Sequence, residues 1–329
     1  MKRRDFLKSA ALSTGCLALD GLAPKGGPAD MPSAAGASNA ARVPRRAYGK
    51  TGIQLSVIAL GGLVVTKVGQ EHANRVVAEA VERGVNYFDV APSYGDGEAE
   101  TRLGPALEPY RKNAFLACKT LERRREGAAA ELKQSLERLR TNHFDLYQLH
   151  ALADVKKDVD VIFGKGGAME AFLEAKASGQ VRHLGFSAHS VEAALAALDR
   201  YDFDSVLFPV NFACFYKGNF GPQIIEKARS KGAACLALKA LARQQWPKGD
   251  PDRKTYGKCW YQPLADPREA DLGLRFTLSQ PVTAAVPPGE ESLFLLALDI
   301  AMKFKPITPD EEKNLRSLAD ALNPIFPAA

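Results

Sequence analysis

The segment Asn86-Tyr87-Phe88-Asp89-Val90-Ala91-Pro92-Ser93-Tyr94 decides how the rest of the chain is read. It starts as a short apolar run with the composition of a buried strand and ends in a Pro-Ser turn, so Asp89 and Tyr94 fall at and just past the strand's C-terminal end. Two later runs close in the same way, Ala114-Phe115-Leu116-Ala117-Cys118-Lys119 and Asp145-Leu146-Tyr147-Gln148-Leu149-His150. Working outward, about eight extended runs are each followed by a helical one. The extended runs are expected at 57–60, 86–88, 114–118, 146–149, 182–186, 205–210, 234–238 and 282–286. The helices are expected at 70–83, 98–107, 128–139, 168–177, 191–198, 222–231, 267–279 and 291–303.

Eight β/α units close a parallel barrel, so the expected fold is α/β, a (β/α)8 TIM barrel. At 329 residues and 46% hydrophobic, the chain can bury one such barrel, which typically needs about 250 residues. The turn-rich stretch Tyr48-Gly49-Lys50-Thr51-Gly52-Ile53 reads as an N-terminal β-hairpin that plugs the barrel's bottom. An extra C-terminal helix is expected at 309–322, outside the barrel, with Thr308 as N-cap and Glu311 completing a capping box. The expected domains are a leader at 1–23, a flexible linker at 24–44 rich in Pro, Gly, Ala and Ser, and the barrel at 45–329.

In a parallel barrel the C-terminal strand ends share one rim, so Asp89, Tyr94, Lys119 and His150 are expected to meet in one pocket. Together they form a proton-donating set. A free phenol, with a pKa of about 10, is a poor acid at neutral pH, and a buried ammonium such as that of Lys119 favours its phenolate. Asp89 holds Lys119 charged, because an ammonium in a barrel mouth needs a partner. His150 directs a carbonyl oxygen toward Tyr94, which protonates the alkoxide as hydride arrives from a reduced nicotinamide. Taken singly, each residue also has a structural reading as a hydrogen-bonder or ion-pair member. His143, His183 and His189 lack such company and read as structural or exposed, and Asp202 with Asp204 reads as turn chemistry.

The string Gly84-Val85-Asn86-Tyr87-Phe88-Asp89-Val90-Ala91-Pro92-Ser93-Tyr94-Gly95, followed by Glu98-Ala99-Glu100-Thr101-Arg102-Leu103-Gly104, resembles the signature of the aldo/keto reductases. The resemblance runs from about Arg45 to Ile300 and includes Leu60-Gly61-Gly62, Asp145-Leu146-Tyr147-Gln148-Leu149-His150 and Val181-Arg182-His183-Leu184-Gly185-Phe186-Ser187. It implies an NAD(P)-dependent oxidoreductase acting on a small carbonyl or alcohol substrate, with Asp89, Tyr94, Lys119 and His150 as the catalytic tetrad. By the same resemblance Ser187 and Asn211 bind the nicotinamide carboxamide, and Gly62, Lys239, Leu241, Arg243 and Gly289 belong to the cofactor site.

Departures from the family pattern cluster in that cofactor site. Ala188 stands where the family often has Asn, and Leu238 where many members stack an aromatic on the nicotinamide. Lys239 and Arg243 either reach the pyrophosphate or form a rim salt bridge. After strand eight, Val286-Pro287-Pro288-Gly289-Glu290-Glu291-Ser292 presents helix N-terminal amides to phosphate. Glu290 and Glu291 stand where NADP-using members carry a cation, which puts NADP in doubt and favours NAD or weak discrimination.

The long connection 244–266 carries Trp246, Tyr256, Trp260 and Tyr261, which either wall a substrate pocket or pack the loop onto itself. The start, Met1-Lys2-Arg3-Arg4-Asp5-Phe6-Leu7-Lys8, then a mildly apolar stretch to Leu19 and a small-x-small site at Gly21-Leu22-Ala23, resembles a twin-arginine signal. It implies the export machinery as a partner and a periplasmic or otherwise exported location. Cys16 also reads as a lipid-attachment site, although that pattern wants an aliphatic residue where Ser13 stands. The apolar run is too short for a stable membrane span. Cys118, Cys214, Cys235 and Cys259 show no metal spacing and are expected as free, buried thiols. The formal charge of +6 is scattered, partly in the leader, and carries no nucleic-acid signature. Two other functions compete with the reductase: a ligand-binding barrel with little turnover, and metal-assisted lyase or isomerase chemistry, which needs clustered carboxylates or His at the rim.

Overall fold

A computed structural model describes residues 42–326. The leader with Cys16 and the linker up to residue 41 lie outside the described residues. Strands β1 (Arg45–Ala47) and β2 (Gln54–Ser56) pair antiparallel as the expected hairpin. They are followed by barrel strand β3 (Leu60–Gly61) and helix α1 (Gln70–Glu82), then β4 (Tyr87–Asp89), α2 (Glu98–Leu107), β5 (Phe115–Thr120) and α3 (Arg125–Arg138). Next come β6 (Phe144–Leu152), a short α4 (Asp160–Phe163), α5 (Ala168–Ala177), β7 (Val181–Ala188) and α6 (Val191–Arg200). The chain continues through β8 (Ser205–Pro209), α7 (Phe212–Tyr216), α8 (Pro222–Lys231) and β9 (Ala234–Leu238). It ends with the small pair β10 (Ala242–Gln244) and β11 (Gln262–Pro263), then α9 (Pro267–Ser279), β12 (Ala284–Val286), α10 (Glu291–Met302) and α11 (Pro309–Asp320).

The eight barrel strands run in the order β12-β9-β8-β7-β6-β5-β4-β3, every neighbour parallel. The ring closes through a parallel bridge between Ile58 and Ala285, with Ala59 N donating to Ala285 O and Ala285 N to Val57 O. The first strand is shorter than the apolar run Val57–Leu60 suggested, because its upstream residues serve this seam. Helix starts follow their capping chemistry: Ser190 caps α6, Asp266 caps α9 ahead of Pro267, and Thr308 with Glu311 forms the capping box of α11. Among the described residues no helix is long and apolar enough to cross a membrane.

Strand alternation explains both the core and the site. On β4, Tyr87 and Asp89 share a face; on β5, Phe115, Ala117 and Lys119; on β6, Leu146, Gln148 and His150. The lower members Tyr87, Phe115, Ala117 and Leu146 fill the barrel with Tyr48, Leu207, Leu236 and Ala284. The upper members are polar, so the same face that packs the interior turns into a reactive rim one or two residues later. Tyr48 seals the bottom, its hydroxyl donating to Ser205 Oγ at 2.8 Å and its ring 5.1 Å from that of Phe115. Opposite-parity residues such as Phe88, Leu116 and Tyr147 face the helices and form the outer core.

The connection 244–266 is partly ordered by the β10–β11 pair and a 3-10 turn at Pro251–Arg253. Its aromatics divide between the two expected roles. Trp246 Nε1 donates to Cys259 O at 2.9 Å and packs the loop on itself, whereas Trp260 and Tyr261 line a cavity at the mouth. All four cysteines among the described residues are free and buried. Helix α11 packs beside α7 and α9, and the segment after it comes to the rim, where Phe326 stacks on His189 at 5.1 Å.

Gly62 sits where β3 must approach β4: a Cβ there would lie 2.7 Å from Val90 Cγ2, next to Asp89. Gly62→Ala is therefore expected to cost about 1–3 kcal/mol in urea unfolding, the range for overpacking a filled site. An unchanged midpoint would show that the strand end can give way.

Candidate active site

The strand ends bring the four expected residues together. Lys119 is fully buried and forms an ion pair with Asp89, its Nζ also donating to Val90 O at 3.2 Å. Asp89 accepts on Oδ2 from the Tyr87 hydroxyl and from Gln148 Nε2, each at 3.1 Å. The buried carboxylate thus has three donors, the arrangement such a charge requires. Tyr94 stands on the turn after β4, its ring centroid 5.0 Å from Lys119 Nζ and 5.8 Å from the His150 ring, which meets it edge-on.

The electrostatics follow from burial and these neighbours. Burial works to lower the Lys119 pKa, but Asp89 and the surrounding groups together hold it above the usual ammonium value, so it is a fixed positive charge. Burial raises the Tyr94 phenol above its ordinary value, and the nearby Lys119 only partly offsets this. Lys119 lowers the Tyr94 value as expected, but desolvation outweighs it, and Tyr94 rests as a neutral phenol. Burial pushes His150 well below the imidazole range, helped by the charges of Lys119, His189, Arg123 and Lys239. His150 is thus a neutral ring, and its Nδ1 has no hydrogen-bond partner.

His150 is aimed by local strain. Ala151, immediately after it, has φ 58° in the left-handed region at a register break in the β6–β7 pairing. The Ala151 amide donates to Ser187 Oγ at 2.8 Å, so Ser187 braces the irregularity that orients the imidazole. Arg123 Nη2 donates to the His150 carbonyl at 2.8 Å from the other side.

A cavity opens over Asp89 and Tyr94, walled also by Leu238, Lys239, Trp260 and Gly289 among others. Asn211 caps α7 through Oδ1, which accepts from Cys214 N at 2.9 Å, and its buried Nδ2 has no partner. That spare amide donor suits a carboxamide. Gly289 lines the cavity with no room for a Cβ, which would stand 2.5 Å from Leu63 Cβ. Gly62 is packed against Val90 rather than on the cavity wall, and Leu241 is fully buried. Arg243 is engaged with Glu269 at 3.0 Å, the rim salt bridge foreseen as its alternative, and does not line the cavity.

Glu290 and Glu291 are both occupied. Glu290 Oε1 accepts from Lys258 N at 2.6 Å, and Glu291 pairs with His72 Nε2 at 2.5 Å. Lys258 Nζ crosses to Val64 O at 3.1 Å, placing a cation on the wall that also holds Pro287–Gly289. Nothing in the sequence singled out Lys258, because it arrives from the long connection. Nor did His189 stand out, although it shares strand parity with Ser187 two residues before. Among the described residues no cluster of His, Cys, Asp and Glu is suited to a metal.

Comparison with known proteins agrees with this geometry. A family model described as the aldo/keto reductase family matches residues 57–258. The chain is 26% identical over 302 residues to the uncharacterized oxidoreductase YqkF of Bacillus subtilis (strain 168), spanning 83% of this chain and 95% of that protein. An aldo-keto reductase from Bacillus halodurans in its holo form has the same fold, with a TM-score of 0.66 at 22% identity over 86% of this chain and 98% of the other. An aldo-keto reductase from Klebsiella pneumoniae, solved in complex with NADPH, gives 0.65 at 20% identity over 82% and 93%.

Asp89→Asn keeps the shape of the site but leaves Lys119 buried without its counter-charge. It is expected to lower unfolding stability by about 3 kcal/mol in urea at pH 7; a loss under about 1 kcal/mol would mean that the pair is not the anchor described.

Proposed function

The chain belongs to the aldo/keto reductase family, and on that premise we propose that it interconverts a carbonyl and an alcohol with NADP(H) or NAD(H), Tyr94 acting as the proton donor. The observation that carries this reading is the meeting of Tyr94 with Lys119, Asp89 and His150 beside a cavity that Tyr94 and Asp89 line. The nicotinamide, when bound, supplies or accepts the hydride. The tight Gly289 turn and Lys258 share one wall of the cavity and fit such a group, and Asn211, outside that lining, keeps a buried amide donor without a partner.

The protein's own residues handle the oxygen. Neutral His150 orients the carbonyl by hydrogen bonding, and the neutral Tyr94 phenol holds the proton that the developing alkoxide takes. The fixed charge of Lys119 then stabilises the phenolate left behind, and Asp89 keeps Lys119 in place. In the reverse direction the same phenolate removes the alcohol proton. An intact proton-transfer set disfavours the alternative of a binding barrel with little turnover.

The Lys258 ammonium, on which Glu290 and Glu291 both act, offsets their charge and weakens the objection that the two carboxylates raise against a 2′-phosphate. With Lys258 on that wall and NADPH bound by the Klebsiella protein, NADP(H) is the first cofactor assigned. The Arg3-Arg4-Asp5-Phe6-Leu7-Lys8 string supports twin-arginine export to the periplasm.

Two measurements test these readings. Tyr94→Phe is expected to lower kcat on an aldehyde panel at least about 100-fold, the lower range for a general acid, with dinucleotide affinity retained; unchanged turnover would remove Tyr94 from its role. Joint Arg3→Lys and Arg4→Lys substitution is expected to hold the protein in the cytoplasm on cell fractionation, and undiminished periplasmic protein would rule the route out.

A further inference from the structure

The His150 imidazole has no hydrogen bond at its buried Nδ1. A histidine used in chemistry is normally aimed through that second nitrogen. Here the ring's direction follows from packing and from the backbone that carries it, and that backbone is irregular. Register in the β6–β7 pairing breaks between Leu149 and Leu152, and Ala151 takes φ 58°. A residue with a side chain keeps such a conformation only where its surroundings over-determine it.

One ion pair supplies much of that determination. Of the three consecutive arginines 123–125, Arg124 and Arg125 are exposed and Arg123 turns inward. Its planar guanidinium spans the two strand ends that carry Lys119 and His150. Nη1 donates to Leu121 O at 3.1 Å, just past Lys119, and Nη2 donates to His150 O at 2.8 Å. Nε donates to Asp158 Oδ1 at 2.8 Å, and each of the two side chains is only 17% exposed. The other oxygen of Asp158 accepts from Ala153 N at 2.8 Å and from Asp154 N at 2.9 Å. The pair therefore grips the chain on both sides of the left-handed Ala151, at His150 and again at Ala153 and Asp154. Arg123 is itself fixed from behind: Ala168 N donates to its carbonyl at 3.0 Å, and Arg124 bridges Gly167. Its charge is also among those that keep the His150 ring neutral.

Resting on the oxidoreductase reading, we propose that Arg123 and Asp158 are positioning residues for the reaction, which fix the irregular end of β6 so that His150 meets Tyr94 edge-on and directs the carbonyl oxygen to its hydroxyl. Neither side chain lines the cavity, and no bond is made or broken at either. The rival account, a tie that only stabilises the two loops, is separated by the test.

Asp158→Asn is the mild variant: its amide oxygen still accepts from Ala153 and Asp154, while its amide nitrogen faces Arg123 and cuts the tie. Arg123→Met removes the fork altogether, and urea unfolding of both variants checks that the barrel is intact; Asp158→Asn decides where Arg123→Met does not fold. Each is expected to lower kcat on the aldehyde panel at least about tenfold, within the cost of slightly misplacing a reacting group, with dinucleotide Kd unchanged. In a His150→Gln background the same substitutions should cost less than about twofold, because a residue that acts through His150 has nothing left to position. A loss as large in that background as in the native one overturns the proposal, since a purely structural tie would produce it. Nitrogen-15 spectra of the histidine-labelled intact protein read the ring without turnover. Both variants should shift or broaden the His150 ring signals, identified by their disappearance in His150→Gln, and leave those of His72 and His143 in place. His150 signals that do not move overturn the proposal. If the native protein reduces no aldehyde, the oxidoreductase reading fails, and the spectra alone decide whether Arg123 and Asp158 place the ring.

Discussion

The ion pair between Lys119 and Asp89 is the constraint around which the upper barrel is arranged. An ammonium with no access to water is tolerated only with a counter-charge and full hydrogen bonding. Asp89 supplies the charge, while Tyr87 and Gln148 complete its acceptor demand from the next layer down and the next strand but one. Because these groups occupy alternate positions on β4, β5 and β6, the pair exists only if all three strands keep their register. A slip of one residue would send Lys119 toward the helices and put Cys118 or Thr120 into the mouth in its place. Reactivity and register are therefore tied to the same pair.

That pair also sorts the protonation states of its neighbours. Its lysine is a permanent charge, which deepens the suppression of His150 and tempers the effect of burial on Tyr94. The result is one neutral ring to orient, one neutral phenol to donate, and one cation to receive the phenolate. The two neutral states come mainly from desolvation, and the cation persists against it through Asp89, so the apolar lining of the barrel contributes to the chemistry along with the polar residues.

The barrel was legible because its strands are short apolar runs bounded by Gly, Pro and polar turns, and because α6, α9 and α11 start at side-chain caps while α8 runs from Pro222 to the left-handed Gly232. The four reactive residues were legible because each closes such a run. What the chain concealed depends on long-range contact. The β10–β11 pair has strands of three and two residues, one ending in Pro263, too short for any periodicity to show. Lys258 has no local signature and gains meaning only where its loop touches Val64 and Glu290. Glu290 and Glu291 suggested repulsion of phosphate when read alone; their partners, 32 and 219 positions away, are invisible to a local reading. The balance of burial against charge at Tyr94 is likewise set by the whole cavity rather than by the lysine alone.

The seam between the first and eighth barrel strands has a mechanical consequence. It rests on Ile58 facing Ala285 and two backbone hydrogen bonds beside them, a thin joint between parts of the chain that are far apart in sequence and costly to bring together. Just above it, Leu63 and Gly289 come from opposite sides and share the cavity wall. A ligand resting on both acts as a hoop around a stave barrel, and its affinity is added to the free energy that keeps the ring shut.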